Sequence, residues 1–266
     1  MAGDYHQALG IHLFYWKYSQ NTRNPLLKNT ENLGDYLSEV VVSHFAPKGK
    51  KPEKNKKKTL YAVGSILGMR CQDAVVWGSG LINTQELRLV NNKIASLDIR
   101  AVRGPKTREE LLKIGKKCPQ IYGDPAILMP RIFMPQATQK KYKVTLIPHY
   151  VDAITLIPTS SDMHTLNILT TDYQDFITQI CQSELVISSS LHGIILAETY
   201  GVPAVLLLPE ERNTFKYEDW YYSTGRYDIT IVRSVEEALS VKPMALPDLS
   251  KMQTDLVAAF PAYLWD

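Results

Sequence analysis

The sequence predicts an α/β protein with two Rossmann-like domains and a cleft between them. Short β-type runs alternate with helix-type stretches along the whole chain, which is typical of parallel sheets covered by helices on both faces. The chain has 266 residues, 45% hydrophobic and 21% charged, enough for two domains with cores of ordinary size. The polar, proline-containing stretch 129–141 indicates a linker, so we predict domains over 1–138 and 139–266.

The first domain is predicted from four apolar runs and two helical patterns. The runs predict strands over 11–16, 60–63, 74–77 and 95–99. Apolar residues at helical spacing predict a helix over 36–45. A second helix begins at Thr107, since acids fill its first turn and lysines its last, the order that the helix dipole favours.

The second domain continues the alternation. Strands are predicted over 142–147, 155–157, 185–188, 204–208 and 229–232. Thr171 to Gln174 has the spacing of a capping box before a helix, and a helix over 194–200 stops at Gly201. Further helices are predicted over 235–239 and about 249–263, and we expect the C-terminal helix to pack back on the first domain.

Composition excludes several classes of protein. The formal net charge is only +3, so nothing demands a nucleic-acid partner. Three cysteines stand far apart without a CxxC pair, which argues against a zinc site or a disulfide framework, and no metal is expected. No secretory leader or membrane-length apolar run is visible, so we expect a cytoplasmic protein.

A lysine-rich segment, Lys48–Lys58, holds seven lysines and one acid. One reading is a solvated loop. The other is attraction to anionic lipid head groups or to a lipid-linked diphosphate, which would place the protein at the inner face of the membrane.

Polar residues follow several strands, where ligands bind in folds of this class. They include Asn32, Gly34 and Asp35 at the first helix, and later Ser79, Gly80, Arg103, Asp124 and His149. Each motif also has a simpler reading, as a tight turn, a helix cap or a solvated arginine.

The turn 188–193, Ser-Ser-Ser-Leu-His-Gly, is the strongest candidate. It lies where a buried strand becomes a helix, and the free amides of a helix N-terminus suit phosphate or carboxylate. His192 there can donate a proton or a hydrogen bond at physiological pH; the alternative is that it only caps the helix. The G-x-S-x-G pattern of a nucleophilic serine is absent.

In their order along residues 10 to 225, these motifs, with Phe215 to Trp220, resemble the polysaccharide pyruvyltransferases. The resemblance implies a fold like the two-domain GT-B glycosyltransferases and no cofactor. It implies transfer from phosphoenolpyruvate to two hydroxyls of one sugar, giving a pyruvate ketal on a precursor of capsule, exopolysaccharide or cell-wall polymer. The acceptor would be a lipid-linked oligosaccharide.

The resemblance also assigns roles to residues. It makes His192 the general acid or phosphate partner, Asp35 a base or hydroxyl-orienting group, and Arg103 the donor-binding arginine. Ser190 stands where some relatives carry arginine, so a donor anchor would come from Lys216, Arg212 or Arg226. The substrate-binding set is Arg103, Ser189, Ser190, Leu191, Lys216, Asn32, Gly34, Ser79, Gly80, Asp124 and His149.

Two other functions remain open at this point. One is a glycosyltransferase that uses a nucleotide-sugar on the same architecture. The other is a catalytically silent saccharide-binding subunit, which the serine at residue 190 keeps in consideration.

Overall fold

The structure is a computed structural model. It describes residues 4–6, 10–17, 30–49, 58–69, 73–85, 96–136, 139–153, 155–156, 158 and 161–266. Over these residues the protein is a mixed α/β structure with two five-stranded sheets, so the predicted α/β class with parallel sheets is confirmed.

The first sheet has the strand order β1-β2-β3-β4-β5. Its strands are Asp4–His6, His12–Tyr15, Thr59–Tyr61, Ala74–Trp77 and Leu97–Ala101. β1 runs antiparallel to β2, and the other neighbours are parallel. Helix α1 (Leu33–Phe45) connects β2 to β3 and α2 (Pro105–Lys113) follows β5, so polar loops lie at the carboxyl ends of these strands.

The second sheet has the order β10-β9-β8-β6-β7, and every neighbouring pair is parallel. Its strands in chain order are β6 Tyr142–Ile147, β7 His164–Thr165, β8 Ser183–Ser188, β9 Ala204–Leu207 and β10 Ile231–Val232. The helices are α3 Tyr173–Cys181, α4 Leu191–Thr199, α5 Phe215–Ser223, α6 Val235–Ser240 and α7 Ser250–Ala258.

The C-terminal segment packs on the first sheet. The indole Nε1 of Trp77 in β4 donates to the carbonyl of Leu256 in α7 at 2.8 Å, and the ring of Phe260 meets the Trp77 ring edge-on at 4.9 Å. Tyr263 donates to the carboxylate of Asp98 in β5. One apolar cluster therefore contains residues of both sheets and of the chain end.

Three local predictions were wrong. No strand forms at residues 155 and 156, while the strand beside β6 is β7; residue 157 lies outside the described part. The predicted linker begins inside a 3-10 helix, Pro125–Arg131, where Met129 is fully buried. The last predicted helix ends at Ala258, and a separate 3-10 turn follows at Ala262–Trp265, because Pro261 at its start cannot supply a helical amide.

Other predictions fall outside the described residues. These are the domain boundary at residue 138, residues 50–57 of the lysine-rich segment and residue 95 of the predicted fourth strand. In the part of the chain that the structure describes, no helix combines the length and apolar character needed to cross a membrane.

Candidate active site

Loops from both sheets meet at one place. Asn32 follows β2 and caps α1, since its Oδ1 accepts a hydrogen bond from the Gly34 amide at 2.9 Å. Ser190 follows β8 and is the N-cap of α4, which carries His192 in its first turn. The amide of Leu33 also donates to the carbonyl of Ile168 in the second half, at 2.9 Å. The two helix starts are therefore held against each other.

Glycines make this approach possible. A Cβ on Gly34 would lie 2.0 Å from Nδ1 of His192, closer than real Cβ contacts come. Gly64, after β3, has φ +99, and a Cβ there would lie 3.5 Å from Oδ1 of Asp35 and 3.8 Å from Cε1 of His192. Asp35, His192 and these two glycines thus share one small space.

Asp124 lies behind the histidine. Its fully buried carboxylate accepts the amides of Gly64 at 3.1 Å and Ala126 at 3.0 Å. Its Oδ2 lies 3.5 Å from Nε2 of His192, a buried ring nitrogen that makes no hydrogen bond within the described protein. This ring nitrogen therefore lies in the cluster with its hydrogen-bonding capacity unused by the described protein.

Asp35 is the most perturbed acid of the group. Burial raises the pKa of this carboxyl from 3.8 to about 7, against the opposing attraction of His192 and Lys216, while Asp124 adds to the rise. A carboxyl with this pKa exchanges a proton readily near neutral pH, which is the property that general acid–base catalysis needs. Asp35 was selected from the sequence because it lies at the start of a helix, and its raised pKa is a property suited to catalysis.

Lys216 brings a positive charge from α5. Burial lowers the pKa of its ammonium from 10.5 to about 8, and Arg103 lowers it further, while Asp35 opposes the shift. The neighbouring Tyr217 donates its hydroxyl to the carbonyl of Ser189 at 2.8 Å, so α5 is attached to the serine turn. The ammonium remains a usable anion anchor at neutral pH.

The serines of the turn support the backbone. Ser188 Oγ donates to the carbonyl of Ile147 at 2.7 Å and accepts the amide of Ser190 at 3.0 Å. Ser189 Oγ donates to Asp152 at 2.7 Å and accepts the His149 amide at 2.8 Å. These hydroxyls hold the junction in shape. Ser190 and Leu191, which start α4, are each 3% exposed.

Asp152 is a residue that the sequence reasoning missed. It is fully buried, accepts from Ser189 and is paired through both carboxylate oxygens with Arg212. Beside it, burial and the charge of Lys216 lower the pKa of His149 to about 3, so this ring stays neutral. Asp152 lies in the loop after β6, so extending the strand-end argument five residues beyond Ile147 would have found it.

Three predicted residues take part in internal contacts instead. Arg103 is fully buried; it donates to Asp219 at 3.1 Å, to Ser65 at 2.5 Å and to the Leu81 carbonyl at 2.6 Å. Ser79 Oγ donates to the carbonyl of Gly64 at 3.0 Å. A Cβ on Gly80 would lie 2.5 Å from Cζ of Arg103. Through these contacts the three residues shape the loops around the cluster.

The other alternative anchor, Arg226, is similarly engaged, since two of its guanidinium nitrogens bond to the buried carboxylate of Glu198. Among the described residues, no group of three or more His, Cys, Asp and Glu side chains is placed to hold a metal ion. A concavity of about 880 Å³ lies elsewhere, between β5 and α7. The cluster of Asp35, His192, Asp124 and Lys216 is thus the candidate site on chemical grounds.

Comparison with known families decides the relationship of this chain. The family model of the polysaccharide pyruvyl transferases matches residues 32–210. This chain belongs to the polysaccharide pyruvyl transferase family. The matched span begins at the cap of α1 and includes Asp35, Asp124 and His192, while Lys216 lies just beyond it.

Two curated proteins are similar to this member of the family. The succinoglycan biosynthesis protein ExoV of Rhizobium meliloti is 36% identical over 132 residues, which is 48% of this chain and 41% of the relative. An uncharacterized protein of Acanthamoeba polyphaga mimivirus is 32% identical over 149 residues, 53% of this chain and 50% of the relative. The chain therefore spans half or less of the length of these curated relatives.

Proposed function

We propose that this protein transfers a pyruvyl unit from phosphoenolpyruvate to two hydroxyls of one sugar in a polysaccharide precursor, forming a cyclic ketal. Membership of the family supports the class of reaction. The observation that carries the proposal is the meeting of Asp35, His192 and Lys216, because the reaction needs a base, an acid and a cationic anchor in one water-poor place.

In the first step, His192 gives its proton to the methylene carbon of phosphoenolpyruvate. The adjacent carbon becomes cation-like, and a sugar hydroxyl oxygen bonds to it while Asp35 takes the hydroxyl proton. The pKa of about 7 for Asp35 matches this task near neutral pH. Asp124, whose Oδ2 lies 3.5 Å from Nε2 of His192, orients the imidazole for the transfer.

In the second step, the bond between this carbon and the phosphate oxygen breaks, and inorganic phosphate leaves. A second hydroxyl of the same sugar then bonds to the carbon and gives its proton to His192, which lost its own in the first step. The departing phosphate takes the proton from Asp35, so the ketal ring closes and both side chains are restored. We place the phosphate at the N-terminus of α4, where the free amides and the Lys216 ammonium supply positive potential. Lys216 would then bind the donor phosphate, in place of the arginine that some relatives carry at the position of Ser190.

We further propose a GT-B-like arrangement, with the donor on the second half and the acceptor on the first. The meeting of α1 and α4 at the carboxyl ends of strands from two sheets supports it. The name of the Rhizobium relative connects that protein with succinoglycan biosynthesis, so we propose an exopolysaccharide precursor as acceptor. A lipid-linked, cytoplasmic form of it would suit the lysine-rich segment 48–58.

Thermal unfolding with ligands tests the donor. We expect phosphoenolpyruvate to raise Tm in a concentration-dependent way, following RT ln(1 + [L]/Kd), and UDP-sugars to leave it unchanged. Lys216→Met should weaken the shift, whereas Lys251→Met, at a lysine whose side chain is 85% exposed, should preserve it. Stabilisation by UDP-sugars alone would favour a glycosyltransferase instead.

A further inference from the structure

Asp219 is a buried acid that the proposed reaction does not use. It lies on α5, three residues after Lys216, and its side chain is completely buried. Within the described part of the chain, the donors to its carboxylate come from the first half. Arg103 Nε donates to it at 3.1 Å, and the amide and hydroxyl of Thr107 donate at 2.9 and 2.7 Å.

The backbone around this carboxylate is equally close. A Cβ on Gly104, the N-cap of α2, would lie 1.9 Å from the carbonyl oxygen of Asp219. Arg103 also bonds to Ser65 and to the carbonyl of Leu81, which lie in the loops after β3 and β4. One residue of α5 is therefore tied to several loops that surround the candidate site.

Lys216 is one helical turn before this attachment point, a rise of about 4.5 Å along the axis. The charged groups that act on the pKa of its ammonium are Arg103 and Asp35 from the first half and Arg212 and Asp152 from the second. The ammonium thus lies where the two halves meet, and its surroundings depend on how α5 is seated.

We propose that Asp219 is a positioning residue: its carboxylate seats α5 on the first half and thereby holds the Lys216 ammonium beside Asp35. The role of Lys216 as a phosphate anchor rests on the proposed function. The seating of α5 does not, because it can be measured without any turnover.

The direction in which the pKa of Lys216 changes in Asp219→Asn distinguishes a displaced α5 from the mere loss of the Asp219 charge. In Asp219→Asn, Arg103 loses its counter-charge. If α5 kept its place, the uncompensated guanidinium would hold the pKa of Lys216 at its value of about 8 or lower it. If Asp219 seats the helix, the released ammonium becomes hydrated and its pKa rises toward the ordinary value of 10.5.

The experiment follows the modification of Lys216 by an amine reagent against pH in the full chain, quantified by mass spectrometry. We expect a midpoint near 8 in the wild type and a higher one in Asp219→Asn, with reactivity at pH 8 reduced about fivefold by a rise of one pKa unit. A folded Asp219→Asn protein with an unchanged or lower midpoint would overturn the proposal.

A milder pair of substitutions keeps the test usable if the unpaired Arg103 prevents the Asp219→Asn protein from folding. Thr107→Val removes one donor to Asp219, and Thr107→Ser retains it. We expect a smaller upward shift of the Lys216 midpoint in the valine variant and the wild-type midpoint in the serine variant. Equal midpoints in the two variants would contradict the proposal.

Glu218→Gln is the matched control, because it removes the partly exposed ion pair with Lys106 between the same two helices. We expect the wild-type midpoint of Lys216 in Glu218→Gln. A shift equal to that of the Asp219 variant would mean that any lost contact between these helices exposes Lys216, and it would overturn the proposal.

A kinetic measurement separates the seating of α5 from the proposed function. With phosphoenolpyruvate, KM should rise more than kcat falls in Thr107→Val. A shifted midpoint with unchanged KM would support the seating of α5 by Asp219 and contradict only the role of Lys216 as phosphate anchor.

Discussion

The backbone of Gly34 lies directly against the imidazole of His192, so closely that a Cβ at residue 34 would be 2.0 Å from Nδ1. The two residues start helices in different halves of the chain. The amide of Gly34 is bonded to the side chain of Asn32, so the backbone cannot withdraw without losing the cap of α1. Any side chain at residue 34 must therefore displace the histidine.

We predict that Gly34→Ala lowers kcat/KM by about a hundredfold, the loss expected when a reacting group moves by about 1 Å. The measurement is pyruvyl transfer under steady-state conditions. Gly115→Ala is the control, since Gly115 has φ +75 and no atom near its added Cβ. Strain of about 1–2 kcal/mol should reduce its stability while its activity stays normal. Full activity of a folded Gly34→Ala protein would contradict the site.

The pH dependence of kcat/KM should be a narrow bell. In the proposed reaction Asp35 acts as a base only when deprotonated, so activity should rise as pH passes its pKa of about 7. Lys216 would bind phosphate only when protonated, so activity should fall as pH passes its pKa of about 8. The two groups interact, and the limbs therefore report the pair.

A lysine-to-arginine exchange checks the alkaline limb. Arg stays charged throughout the accessible pH range, so Lys216→Arg should extend the activity to higher pH even if its maximum is lower. Retention of the same alkaline limb in this variant would assign that limb to another group.

Asp35→Asn should produce a more stable and inactive protein. The folded state raises the pKa of Asp35 from 3.8 to about 7, so it binds the proton more tightly than the unfolded chain does. Wild-type stability therefore falls as pH rises between these values, and the penalty is complete above about pH 7. The amide of the variant cannot ionise, so we expect its free energy of unfolding to exceed that of the wild type by an amount on the order of 2–4 kcal/mol at pH 8.

Denaturant unfolding at several pH values measures this effect. The difference between Asp35→Asn and the wild type should shrink as pH falls toward 4, where the carboxyl is protonated in the folded protein. A variant that is less stable than the wild type at pH 8 would show that burial does not raise the pKa of Asp35.

Periodicity and strand ends predicted much of this fold. The bounds of β4 and β6 agree with the prediction. β4 is buried along its whole length, and such parallel strands are continuous in hydrophobicity. Asp35 and His192 were found because each starts a helix after a strand. The start of α1 at Leu33 was missed by three residues, since the cap and not the apolar pattern begins that helix.

Long-range contacts account for what the sequence did not predict. Arg103 was expected to bind the donor, but its burial against Asp219, 116 positions away, is visible only in the folded chain. The lowered pKa of Lys216 likewise comes from burial between the halves and not from its neighbours in sequence. The absence of a strand at 155–156 has a local cause, since the amides of Thr155 and Leu156 donate to the carbonyl of Asp152 in a turn.

Phosphate release, followed by ³¹P NMR in the presence of phosphoenolpyruvate and succinoglycan-type oligosaccharides, tests the central claim most directly. The wild type should convert the phosphoenolpyruvate signal to inorganic phosphate only when an acceptor is present, with one new ketal methyl signal in the proton spectrum per phosphate. Folded His192→Ala should do neither. Phosphate release and ketal formation by His192→Ala at the wild-type rate would contradict the account.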